Sequence, residues 1–240
     1  MRSLFERVRM QLGRDQILLV SLAVVYVVTG RIGLAFGYIH PASSTLFPPS
    51  GVALAAFLVL GYRVWPIILL AATLLYCSVL GVVPASLLLA AGNTAEGLFL
   101  SYLINRFAGG RHTLQTPKHA LRFAGLTALT SVTVGATVGT IALVFSGLVS
   151  PTLADALWMN WSLGSFAGTL IAAPATLLFA QGRTDRWKKA QVFEALAVLV
   201  CVVGVGLVIF CGVRVELRGY PLEMFCFVVV LWPACRLGRR

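Results

Sequence analysis

Three polar positions interrupt long apolar runs. Arg31 lies in Gly30-Arg31-Ile32-Gly33, Glu96 in Gly92-Asn93-Thr94-Ala95-Glu96, and Asn160 in a stretch from Trp158 to Ser165. Ionisable groups in such surroundings are costly in a bilayer, so each is a functional candidate. The chemistry open to them is binding rather than bond-making. A single carboxylate has no second one with which to form an acid/base pair. His40 falls in one predicted loop, and His112 and His119 in a loop on the opposite side, so they cannot meet. No helical His-Glu zinc pair, glycine-rich phosphate loop or credible Ser-His-Asp set occurs. The five cysteines sit in apolar runs without paired ligand spacing and read as small packing residues. The expectation is therefore no catalytic residue, no metal site, no cofactor and no enzyme activity in these residues.

These side chains must be held by membrane helices. Of 240 residues, 59% are hydrophobic and only 11% charged, against about a quarter charged in a soluble domain. The net charge of +11 would point to nucleic acid in a soluble protein. No interleaving of basic and aromatic residues supports that here, and basic cytoplasmic loops explain the charge. The predicted fold class is all-α: a polytopic bundle of about eight transmembrane spans with both termini cytoplasmic. Residues 1–15 form a basic leader and 16–240 the membrane domain. The apolar run after Arg14 is too long for a signal peptide, and no cleavage site ends it.

The predicted spans are 16–38, the short helix after Gly51, 66–80, 85–107, 120–148, 154–180, 192–213 and 221–235. With the N-terminus inside, the inner loops hold nearly all the Lys and Arg, including Arg63, Arg106, Arg111, Lys118, Arg122, Arg183 and Arg186. The outer loops hold only Arg214 and Arg218, with Arg31 inside span one. That asymmetry sets the orientation.

The stretch Phe47-Pro48-Pro49-Ser50-Gly51 organises the rest. Prolines break a helix interior, and the residue before each is pushed toward extended geometry. Ser50 is expected to cap a helix that opens at Gly51. Fifteen residues from there to Trp65 rise about 22 Å, short of the roughly 30 Å hydrocarbon core. The prolines must then sink below the membrane surface, where non-helical backbone survives only inside protein or beside a wet cavity.

Counting along the spans places Arg31 and Asn160 at one outer level. Glu96 and Ser165 lie about 16 Å below the outer edge, and Asn93 one turn nearer the outside. The polar groups and the sunken prolines thus share the outer half, as the wall and lining of a cavity open to the outside. Plainer readings stand beside this one. Arg31 could snorkel to headgroups, and Glu96 could be a protonated hydrogen bond between helices. Asn93 and Asn160 could be interhelical glue, and Trp158 and Trp161 an interfacial belt. Gly135, Gly139, Gly164 and Gly168 have the spacing that lets helices approach closely. Thr130, Thr133, Thr137 and Thr140 are expected to bond back to their own helix, with lining a pore as the alternative.

Taken in order, the motifs resemble the first family of bacterial membrane-associated sensor domains, the MASE group. They are Gly30 to Ala35, Phe47 to Leu54 with Leu60 to Pro66, Gly92 to Glu96, and Trp158 to Gly168 with Pro174. The resemblance covers about residues 20–240. Phe47 stands where the family usually has Trp, Ser162 where a further Trp is common, and Ser165 where Asp is common. The resemblance implies a multi-pass sensory input domain of the bacterial inner membrane, working in two-component or cyclic-di-GMP signalling. It implies an unknown small ligand bound by Phe47, Pro48, Pro49, Ser50, Gly51, Asn93, Glu96, Arg31, Asn160, Trp161 and Ser165. The expected partners are the lipid bilayer, a histidine kinase or diguanylate cyclase output domain, fused or separate, and a second copy in a homodimer. Nucleic acid is not among them. A stretch like Leu231 to Gly238 is usually followed by further helix and the output domain, so a fragment or a separate output partner is expected. A small-solute transport or capture subunit would use the same cavity, whereas a purely structural anchor would need none.

Overall fold

The computed structural model describes residues 2–180 apart from Phe36 and Tyr38, with side chains from Gln16 onward. The chain divides into two units, and the described residues belong to the first, Met1–Gly182. Predicted spans seven and eight lie outside the described residues. The helices are α1 (Arg2–Leu34), α2 (Pro48–Leu60), α3 (Trp65–Leu80), α4 (Val83–Phe107), α5 (Pro117–Thr130), α6 (Thr137–Phe145) and α7 (Ala154–Ala180). A π-helical turn, Ser131–Ala136, joins α5 to α6 without a break. Five helical stretches are long and apolar enough to cross a membrane, and α2 is a shorter apolar helix. The chain is a multi-pass membrane protein.

Most predicted boundaries stand within a few residues, and the exceptions have local causes. Span one ends at Leu34 rather than at residue 38. Gly37 N–H turns back to the Leu34 carbonyl. The leader is continuous with span one in α1. Helix α2 opens at Pro48, not Gly51, and Ser50 is not its cap: Phe47 occupies that position, without a side-chain cap bond. The first helical positions need no intrahelical N–H, so two prolines there remove donors that would otherwise be buried without partners. Gly81 adopts the left-handed conformation (φ 68°) that ends α3, and α4 starts two residues later.

With 13 residues, α2 is about 20 Å long. It is apolar all round, and Pro49 and Gly51 through Leu58 are buried. Its broadest packing is against α7, with α4 and α1 on other sides. The chain leading into it runs down the face of α7. A Cβ on Gly164 would strike the Ser44 carbonyl, one on Gly168 the Phe47 carbonyl, and one on Gly51 the α7 backbone at Ala173. Gly164 and Gly168 lie about 15 and 21 Å along α7 from Ala154. Those glycines therefore admit non-helical backbone, where the spacing pointed to helix on helix. Phe47 N–H donates to the Gly164 carbonyl at 3.0 Å. Ser44 Oγ donates to the Gly33 carbonyl at 2.6 Å and accepts the Leu46 N–H at 3.1 Å. A buried irregular segment is thereby satisfied by protein.

One end of the bundle carries Arg63, Arg106, Arg111, Lys118 and Arg122. There Asn105 Nδ2 donates to the Tyr62 hydroxyl and Arg122 to the Phe107 carbonyl. The opposite end holds the segment leading to α2, the Gly81 turn and residues 146–153.

Candidate functional site

Glu96 projects from α4 into the junction of α2, α7 and the π-helical turn. Ser165 Oγ of α7 donates to Glu96 Oε1 at 2.6 Å, and Ser131 Oγ, at the start of the π turn, donates to the same oxygen at 3.0 Å. Ser50 Oγ of α2 lies 3.0 Å from Ser165 Oγ. The one proton of Ser165 is already committed to Glu96, so Ser50 is the donor to Ser165. The order is Ser50 to Ser165 to Glu96. The other carboxylate oxygen, Oε2, faces Gly135, where any Cβ would collide with it. Glu96 is 3% exposed, Ser165 1% and Ser131 0%. Tyr26 and Tyr76 lie close enough to interact with the Glu96 carboxylate.

The π turn follows from this local chemistry. A widened turn interrupts the regular ladder and recurs at functional positions. Here Thr137 Oγ1 donates to the Val132 carbonyl five residues back, at 3.0 Å, and accepts Trp158 Nε1–H at 3.2 Å. Thr130 and Thr133 bond back to α5 as expected. Thr140 does not; its buried hydroxyl has no partner, and neither has that of Thr169.

Beside Glu96 lies an aromatic and amide layer. Asn93 Nδ2 donates to the Tyr76 hydroxyl at 2.7 Å, and Tyr26 interacts with the same amide. The Tyr76 ring stacks between Phe47 and Trp161, with 6.4 Å between centroids on each side. Trp161 is 4% exposed and covers Gly139, so it belongs to the core and not to an interfacial belt. Asn160 Nδ2 donates to Ser43 Oγ at 2.7 Å and holds the segment ahead of the prolines.

The structure thus brings Phe47, Pro48, Pro49, Ser50, Gly51, Asn93, Glu96, Asn160, Trp161 and Ser165 into one connected region. Arg31 is not part of it: its side chain is exposed on α1. Sequence reasoning missed Tyr26, Tyr76, Ser131 and Ser43. The signal for the tyrosines was a phenol in the middle of an apolar run; the serines gave none. The region is closed rather than an open cavity, with Asn93 and Asn160 7% and 8% exposed. Cavities among the described residues lie elsewhere. One, of about 600 Å³, is an apolar cleft between α1, α2 and α7 that includes Leu18, Val25, Val59 and Thr176. Another, of about 350 Å³, lies against Phe107 and Arg122 at the basic end.

A helical membrane domain with a hydroxyl-ringed carboxylate at its centre is the class these features define. The MASE1 family model matches residues 18–240, and the chain belongs to this family of membrane-associated sensor domains. No curated protein and no solved structure matches the chain.

Proposed function

We propose that this chain is a sensory input domain that binds a small ligand at the Glu96 region and relays occupancy to a cytoplasmic output, a histidine kinase or diguanylate cyclase, fused or separate. The observation carrying it is Glu96 itself. A buried carboxylate that accepts from two hydroxyls, Ser165 and Ser131, with Ser50 behind Ser165, is a poor choice for a passive anchor, because buried ionisable groups are expensive. Basic loops at one end favour placing that end, and both termini, in the cytoplasm of a bacterial inner membrane. Eight spans are consistent with that orientation. The site then lies in the outer half, with Asn93 and Asn160 as polar anchors beside it.

The mechanism is differential binding. An occupant that changes the Ser50–Ser165–Glu96 bonds favours one position of α2 against α7. Because α2 runs from this site to Leu60, three residues before Arg63, its displacement reaches the basic end directly. The Glu96→Gln variant, placed in a reconstituted sensor with its output domain, is expected to lose the ligand response while remaining folded. Unchanged signalling would remove Glu96 from the site. A transport or capture role is the second reading. It is favoured by irregular backbone on two sides of a buried carboxylate, a layout found in transporters. Solute uptake into proteoliposomes would establish it over the sensor.

A further inference from the structure

We propose that the apolar cleft between α1, α2 and α7 holds an acyl chain of an anionic phospholipid, whose headgroup lies at the basic end of the bundle. This site is separate from the Glu96 region and does not depend on it.

The cleft encloses about 600 Å³. Its floor is α2, where Val52, Ala55 and Ala56 are buried, and the two alanines are small enough to leave room above them. Its walls are Ile17, Ser21 and Val25 of α1 and Ala180 of α7, all exposed. Thr176 also lines it, and its Oγ1 donates to the Ala172 carbonyl of its own helix at 2.7 Å. Such a lining suits a hydrocarbon chain and offers a polar solute little.

The length of the cleft matches one leaflet. Ile17 to Val25 on α1 and Val52 to Leu60 on α2 each rise about 12 Å. Half of a hydrocarbon core of about 30 Å is about 15 Å. The direction fits as well. The chain leaves α1 at Leu34 and enters α2 at Pro48, so the two helices run oppositely. Glycine contacts align Gly164, Gly168 and Ala173 of α7 with residues 44, 47 and 51 in turn, so α7 runs with α2. Ile17, Leu60 and Ala180 therefore lie toward the basic end, and Val25 and Val52 lie deeper.

Charge complementarity names the headgroup. On each of the three elements an arginine stands three residues from the cleft residue nearest that end: Arg14 before Ile17, Arg63 after Leu60 and Arg183 after Ala180. Arg63 is exposed in a short 3-10 turn, Tyr62–Val64. Three residues of chain reach at most about 10 Å, so all three arginines belong to the neighbourhood of the mouth. Asp15 and Asp185 offset part of this charge, while Arg9, Arg186, Lys188 and Lys189 add to it in the same two stretches. Basic residues beside a membrane surface attract anionic headgroups, by about fivefold for each Lys or Arg. A zwitterionic lipid gains no such factor.

The test uses the full chain in nanodiscs of phosphatidylcholine and phosphatidylglycerol in equal amounts. After extraction in mild detergent, native mass spectrometry counts the lipids that stay bound. One phosphatidylglycerol per chain is expected, preferred over phosphatidylcholine by roughly tenfold. Ser21→Trp places a ring in the cleft from an exposed position and should remove the retained lipid. Arg63→Gln should keep a lipid but lower the preference about fivefold. Should Ser21→Trp fail to fold, Val59→Phe fills the cleft from its other side and carries the test. No retained lipid, equal retention of the two lipids, or retention undiminished in both filling variants would each overturn the proposal. So would oxidative cross-linking of Ser21→Cys to Cys201 or Cys211, which would put the chain's own predicted span 192–213 in the cleft, or to a second copy of the chain. None of those outcomes bears on the Glu96 reading, which the Glu96→Gln signalling assay tests by itself.

Discussion

At the first turn of α2, polar groups reach from one helix to another: Ser50 to Ser165, Ser165 and Ser131 to Glu96, and Asn93 to Tyr76. At its last two turns, Leu54 and Leu58 pack with Leu100, Ile104, Phe123 and Leu177. Hydroxyls on that side, those of Ser101, Thr127 and Thr176, return to their own helix backbones. One short helix therefore joins a region of interhelical hydrogen bonds to one of apolar fit. Hydrogen bonds have direction and a small number of satisfied arrangements, so an occupant can switch them. Apolar contacts have none, and they let α2 shift without breaking anything specific. In a bilayer, where lipid is as apolar as leucine, that second region holds by packing alone.

This contrast can be broken experimentally. The largest effect is expected from Gly168→Val, whose side chain would meet the Phe47 carbonyl and Pro48. Neither helix can yield there, so a loss of about 3 kcal/mol or failure to fold is expected, read by thermal unfolding in detergent. Leu54→Ala, at a fully buried position, should cost about 2 kcal/mol through the cavity it leaves. It should spare the response to ligand; a lost response would show that the apolar region carries specificity after all.

Tyr76→Phe removes the acceptor of Asn93 Nδ2. Interhelical bonds in membranes average about 0.6 kcal/mol, so the unfolding midpoint should fall only slightly. Signalling should change far more than stability, and the reverse ranking would place this layer among the merely structural contacts.

The smallest effect is a dependence on pH outside the spans. Burial lowers the pKa of His40, and its Nδ1 accepts the Ala42 N–H at 3.1 Å, as only a neutral ring can. A folded-state value below the ordinary 6.5 means that the stability this group contributes is complete above about pH 6.5. It is lost as pH falls below that value, because the unfolded chain binds the proton first. His40→Gln should flatten that part of the melting-temperature profile between pH 7 and 5.

Apolar runs, proline and glycine positions and loop charges were enough to find the helical class, the short α2 and most helix ends. Those signals are local: a proline lacks its N–H wherever it stands, and hydropathy sums along the chain. Counting rise per residue also placed Glu96 and Ser165 at one level. Which side chains face one another was another matter. Arg31 was counted into the site and stands outside it, because depth along a helix carries no information about azimuth. Ser131 went unnoticed because one serine in a span resembles any other, until the π turn rotates it onto Glu96. The glycines of α7 were legible as places of close approach, but not as the bed for an irregular segment. One-dimensional spacing decided that something must lie near; only packing in three dimensions decided what, since hydrogen bonds between helices depend on directions that no single helix specifies.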